Sequence, residues 1–214
     1  MIKNLLFLAT LSLACGSQST IESKPVFASN KKSSVLTQQT GAKEIPIDLD
    51  KSVIAWKGTK ITGKHEGTVN FREGQLTFSE GKLIGGELIV DMESIDISDI
   101  PEHETTARRN LLNHFIEEFT INQFSKSSFT FTEVNHSRAD RIEIAGQLSI
   151  RGVSNPIRIF ANKTSDGYTS EFSFNRFDWG IGENGSWFEK RLVDEMIQLK
   201  VKLVPKSNPA LTNQ

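Results

Sequence analysis

The sequence predicts a mainly β protein, an antiparallel β-barrel of about eight strands with one helical segment near residues 102–119. Three observations predict it. Short segments in which apolar and polar residues alternate recur from about Ile45 to Val204, and such alternation marks strands with one buried and one wet face. Only one segment between them carries a helical period. The chain also holds 14 Phe against one Tyr and three Trp, which supplies large apolar area with no polar atom to satisfy.

Taken in order, Ser52 to Thr59 (SVIAWKGT) reads as the first strand. His65 to Arg72 alternates, with Val69 and Phe71 on one face. Glu73-Gly74 reads as a turn before a strand carrying Leu76 and Phe78, and Glu80-Gly81 as the next turn. Lys82 to Met92 follows, and its Gly85-Gly86 pair predicts a bulge or sharp bend of the kind a closing sheet needs. The period then changes: Ala107, Leu111, Leu112, Phe115, Ile116 and Phe119 make one stripe on an amphipathic helix, with Pro101 just ahead as a start signal. Strand alternation resumes at Ser128 to Val134, with Phe129 and Phe131 on one face, and continues through Ile142, Ile144, Leu148 and Ile150. Arg151 to Pro156 is a turn cluster, Ile157 and Ile159 start the returning strand, and Asp166-Gly167 signals a hairpin. Phe172 and Phe174 alternate with polar neighbours, and the last strand sets Ile197, Leu199, Val201 and Leu203 against Gln198, Lys200 and Lys202. No repeat and no second domain stand out between residues 45 and 205; residues 206–214 read as a short tail.

The start of the chain bears on compartment. Lys3 precedes the apolar run Leu5 to Ala14, which is short of the about 20 residues a membrane span needs and fits the core of a secretory signal, residues 1–14. Cys15 follows and is the only cysteine. One reading is lipidation of Cys15 after signal cleavage, which would anchor the protein to a membrane. The other is an ordinary cut near Ala14 that leaves an incidental thiol. A lone cysteine permits no disulfide within the chain, so the fold rests on its core. Residues 15–44 are polar and aperiodic, as a tether is. Export, to the periplasm or as an outer-membrane lipoprotein, is the expectation that follows. A formal net charge of −1 lacks the basic excess of a nucleic-acid binder.

The chemistry-bearing residues form no catalytic pattern, and the expectation is a binding protein without enzymatic activity, cofactor or metal. His65, His103, His114 and His136 show no metal-ligand spacing; on one helix His103 and His114 would stand about 16 Å apart along the axis. The stretch Gly180 to Gly185 (GIGENG) lacks the Lys-Ser/Thr of a phosphate loop, and no GxSxG places a nucleophile. Inward Phe71, Phe78, Phe129, Phe131, Phe172 and Phe174 would make a dry interior, suited either to a hydrocarbon chain or to an ordinary filled core. Composition leaves both open: a carrier of an apolar ligand, or an envelope structural or interaction module with no ligand.

Several stretches in order resemble a known family. They are Trp56-Lys57-Gly58, His65 to Phe71 (HEGTVNF), Gly74-Gln75-Leu76, Gly85-Gly86 through Val90-Asp91-Met92-Glu93-Ser94-Ile95, Ser128-Phe129, Ile144 to Gly152 with Asn155-Pro156-Ile157, and Asn175 to Ile181 followed by Val193-Asp194-Glu195. Together they are similar to the YceI-like, polyisoprenoid-binding proteins, exported bacterial domains with a lipocalin-like barrel. The segment after the helix differs from that pattern, with His114-Phe115 and Glu117-Glu118-Phe119 about two residues shorter than the family's and Phe124-Ser125 in place of Tyr-Pro. The resemblance implies that a long isoprenoid lipid, a polyprenyl phosphate or an isoprenoid quinone, is held with its tail in the barrel. On that implication the tail would meet Trp56, Phe71, Phe78, Met92, Phe129, Phe131, Leu148, Phe172, Phe174 and Leu199. The polar head would meet His65, Arg176 or Trp179.

Overall fold

The structure is a computed structural model that describes residues 41–182 and 193–207. Its strands are β1 (Lys43–Pro46), β2 (Val53–Lys60), β3 (Gly63–Ser79), β4 (Lys82–Ile97), β5 (Lys126–Asn135), β6 (Arg141–Ile150), β7 (Val153–Lys163), β8 (Tyr168–Asn175) and β9 (Val193–Leu203). Among the described residues one helix, α1 (Thr105–Glu118), joins β4 to β5, and a short 3-10 turn covers Arg176–Trp179. The expected signal segment, Cys15, most of the tether and residues 208–214 lie outside the described residues.

Strands β2 to β9 run antiparallel in the order β3-β2-β9-β8-β7-β6-β5-β4, and β4 returns to pair with β3, so the sheet closes on itself. Closure pairs every barrel strand on both sides, leaving unpaired edge only where β7 and β8 part. β1 is an added strand. It lies along the same edge of β3 as β2 but further on, with Lys43 to Pro46 opposite Phe78 to Gln75 while Ile54 to Lys60 face Val69 to Gly63. It begins at Lys43, ahead of the expected domain start. Four residues that include a proline carry too little alternation to read as a strand.

Three local readings change. Glu73-Gly74 is not a turn, because β3 runs straight through it. The ladder to β4 slips between Phe71 and Glu73, and this bulge lets Val69 and Phe71 and then Leu76 and Phe78 all be buried although their numbers change parity. The Arg151 to Pro156 cluster shrinks to the turn Arg151-Gly152, both with positive φ (55° and 76°). Pro156 is tolerated inside β7 because only one edge there is bonded. β6 pairs with β7 along its whole length from Ile150↔Val153 to Arg141↔Asn162, whereas β7 and β8 pair only through Ala161↔Ser170, Asn162↔Thr169 and Lys163↔Tyr168. The 3-10 turn stands at this opening, with Asn155 Nδ2 donating to Asp178 O at 2.8 Å. Finally, α1 is shorter than the helical segment expected over residues 102–119. Glu104 is its N-cap, with its N–H on Pro101 O at 3.0 Å, and Phe119 is its C-cap. Thr120 at φ 51° then turns the chain away.

The predicted bulge at Gly85-Gly86 is present as the register shift between Thr77↔Gly85 and Phe78↔Leu83. The core is one cluster of inward side chains drawn from every strand. Ile45, Ile47, Leu76, Phe78 and Ile142 are among its most buried members. By register they lie at the end of the barrel away from α1.

Candidate functional site: an apolar cavity under a helix

The barrel encloses a cavity of about 320 Å³, within the range of small-molecule pockets. Its wall follows from the strand period. Alternate residues turn inward, so β2 offers Ile54 and Trp56, β3 offers Val69 and Phe71, β5 offers Phe129 and Phe131, β8 offers Phe172 and Phe174, and β9 offers Ile197, Leu199 and Val201. β4 contributes through an irregularity. Its ladder to β3 jumps from Thr68↔Asp96 to Asn70↔Asp91. The Ser94 hydroxyl closes the gap, accepting from Asn70 N at 2.8 Å and donating to Asp91 O at 2.6 Å. With those backbone groups satisfied, the looped segment brings both Met92 and Ile95 to the cavity.

Helix α1 roofs the cavity. Leu111, His114, Phe115 and Phe119 border it, and the Phe115 ring stands edge-on to Trp56 with centroids 4.9 Å apart. No residue of α1 is fully buried, because its apolar stripe faces the cavity instead of a solid core. Arg108 fastens it to the end of β4, with Nη1 donating to Ile97 O and Ile100 O at 2.5 and 2.8 Å and Nη2 to Asp96 Oδ1 at 2.6 Å.

Polar groups gather at the rim: Thr59, Lys60, His65 and His114 border the cavity at the α1 end. His65 Nδ1 lies 2.8 Å from Asp99 Oδ2, and Asp99 Oδ1 accepts the Glu66 N–H at 3.0 Å. Burial works to raise the Asp99 pKa, but these two hydrogen bonds outweigh it and hold the carboxyl below its ordinary value. A ring whose Nδ1–H is committed to a carboxylate presents Nε2 outward, as acceptor when neutral and as donor when charged. Deeper in the wall the polar side chains are hydroxyls. Ser170 Oγ donates to Phe160 O at 2.7 Å, and Ser127 Oγ has no partner among the described residues.

Of the ten side chains expected to meet a ligand tail, nine border the cavity: Trp56, Phe71, Met92, Phe129, Phe131, Leu148, Phe172, Phe174 and Leu199. Phe78 does not. It is inward-facing and 2% exposed, and at its height the cavity is bordered by its ladder partner Leu83 instead. Of the three expected head contacts only His65 is at the rim. Trp179 spends its indole N–H on Leu148 O at 3.0 Å and packs edge-on against Phe174 at 5.1 Å. Arg176 is 7% exposed; its Nε and Nη1 donate to Asp194 O and Ile181 O at 3.2 and 3.1 Å, and it lies over the Phe177 ring. Both residues brace the chain around the 3-10 turn and leave the cavity to others. Lys60 and His114 were not expected as head contacts. The sequence signal for Lys60 was its place at the end of a strand whose neighbours point inward, and for His114 its place one residue before Phe115 on the helical stripe. Among the described residues no group of three or more His, Cys, Asp or Glu stands close enough to hold a metal ion, and His136 Nε2 lies 2.6 Å from Leu83 O.

A family model described as a YceI-like domain matches residues 46–204. The crystal structure of Burkholderia cenocepacia BcnA is similar to this chain with a TM-score of 0.63 at 18% identity, covering 74% of this chain and 98% of that one. A polyisoprenoid binding domain from Saccharophagus degradans, implicated in plant cell wall breakdown, gives a TM-score of 0.53 at 12% identity and covers 77% of this chain and 99% of its own. At such identities the likeness is one of fold. No curated protein matches the chain in sequence.

Proposed function

The chain belongs to the YceI-like domain family, and on that premise we propose that it is an exported, non-catalytic binding protein that holds a long-chain isoprenoid lipid in the barrel. The observation that carries this reading is the partly open cavity itself, about 320 Å³ walled by aromatic and aliphatic side chains, with its charged and imidazole groups confined to one rim. A dry tunnel with a polar mouth suits an amphiphile with a long apolar tail, because each buried CH₂ contributes about 0.8 kcal/mol while the head stays hydrated. It is a poor match for the alternative of a structural module with a filled core. The polyisoprenoid-binding description of the Saccharophagus domain supports the same ligand class. The head, a phosphate or a quinone ring, would lie among Lys60, His65 and His114. The signal-like run before Cys15 supports export and attachment to the periplasmic or outer-membrane surface through a lipidated Cys15.

The test is native mass spectrometry of protein purified from its own host, followed by organic extraction and titration of the emptied protein with polyprenyl phosphates and isoprenoid quinones. A prenyl adduct is expected, and rebinding should change the fluorescence of Trp56, whose ring borders the cavity, while a Trp56→Phe variant loses that change. Protein that is repeatedly empty, with no affinity for either lipid class, overturns the reading.

A further inference from the structure

The turn between β2 and β3 is two residues long, Ile61-Thr62, closed by the pair Lys60↔Gly63. Ile61 is 77% exposed, and the next most exposed large apolar side chain among the described residues is Phe160 at 46%. A single exposed apolar residue is ordinary; what sets Ile61 apart is its neighbours. Lys60, joined to it in the chain, borders the cavity, and so does Val193, which faces Lys60 across the ladder and is itself 37% exposed. The turn that carries Ile61 therefore stands at the mouth of the cavity, beside Lys60 and Val193 of its lining. Two lysines, Lys60 and Lys64, flank the turn. Acidic groups stand nearby: Glu66 pairs with Lys64 at 2.7 Å and Asp194 accepts from Thr59 at 3.0 Å.

We propose that the Ile61-Thr62 turn is a membrane-docking tip. Ile61 enters the boundary between headgroups and acyl chains, and the exposed Lys64–Glu66 pair stays in the headgroup layer beside it. The mouth is thereby set against the bilayer, and an apolar chain passes between membrane and barrel without crossing water. A protein partner fits less well. Stable protein interfaces bury about 1,200 Å² or more in total, and this apolar surface is a point, whereas a bilayer accepts a point insertion. With acidic neighbours offsetting the lysines, the apolar contact and not net charge carries the docking, so salt should weaken it only modestly.

This inference rests on the carrier reading but is tested apart from it. Variants Ile61→Asp and Ile61→Trp of the full chain are compared with the unaltered protein, which holds any contribution of residues 1–40 constant. Transfer of a fluorescent polyprenyl lipid is followed from phosphatidylethanolamine–phosphatidylglycerol vesicles, and its affinity is measured separately in detergent. Ile61→Asp should slow transfer by about tenfold and leave detergent affinity and Tm unchanged. Empty vesicles should add a blue-shifted emission component in Ile61→Trp that the unaltered protein lacks. Unchanged transfer in Ile61→Asp, or no vesicle-dependent shift in Ile61→Trp, overturns the proposal. If no lipid binds in detergent the carrier reading falls, and the shift on empty vesicles alone decides the docking.

Discussion

Replacing Phe78 and Phe172 by alanine, one at a time, separates a walled cavity from a filled core. The chemistry of the two changes is identical; the surroundings differ. Phe78 is 2% exposed and does not border the cavity. Its deletion removes protein contacts around the whole ring and opens a new void, so the expected cost is the full about 3–5 kcal/mol. Phe172 is half-buried and one side of its ring borders open space. Deleting it enlarges a void that already exists and forfeits about half as many contacts, so the expected cost to the empty protein is about 1.5–2.5 kcal/mol. Binding should respond in the opposite sense. Phe172→Ala removes a surface that a bound tail would cover, a loss of about 1–1.5 kcal/mol or roughly tenfold in Kd, while Phe78→Ala leaves affinity unchanged. Urea unfolding of the delipidated variants, accepted only where m is constant, gives the first pair of numbers, and lipid titration gives the second. Equal destabilisation by both variants with no change in affinity for either would refute the reasoning, because it would mean that the Phe172 ring is packed as fully as that of Phe78.

Two other perturbations probe the scaffold. A methyl group at Gly67 would collide with the carbonyl oxygen of Asp96 and lie 2.8 Å from the Trp56 ring. Gly67→Ala should therefore cost about 1–3 kcal/mol and lower Tm by roughly 4–10 °C, and an unchanged melting curve would contradict the close β3–β4 approach at the closing seam. Asp99 has its pKa depressed in the folded state, so its contribution to stability is present above the unfolded value and is lost as pH falls through the folded one, that is, below about pH 4. The stability gap between the unaltered protein and Asp99→Asn should thus narrow from about pH 7 to about pH 3 in urea titrations; a gap independent of pH would show that the ionised carboxylate contributes nothing.

Alternation in the sequence tells which side of the sheet a residue faces and nothing about its height along the barrel. That distinction explains what could be read and what could not. Ile197, Leu199, Val201 and Leu203 announce their strand and their inward face without ambiguity. The same logic marks Phe78 as inward, correctly, but cannot tell that it leaves the cavity to its ladder partner Leu83, since that depends on how far each strand is staggered against the next. Glu73-Gly74 looked like a turn because a bulge and a turn both interrupt the period; only the partner strand distinguishes them. Arg176 and Trp179 have the polar atoms expected of head contacts, and those atoms are consumed by backbone carbonyls brought close by the 3-10 turn, a pairing with no local signal. Lys60 became a rim residue through the register of β2, β3 and β9 together. The helical stripe from Ala107 to Phe119 was legible because its period differs from everything around it, but the stripe does not show that it faces a space and not a solid core.

The short β7–β8 pairing has a mechanical consequence. Every other seam of the wall is laced by five or more residue pairs, while this one is held by three near one end and is bridged toward the helix end by side chains such as Asn155. A hoop stretched from within yields where it is fastened least. Any widening of this wall is therefore expected first between β7 and β8, at the expense of three ladder pairs and with the registers of the remaining strands intact.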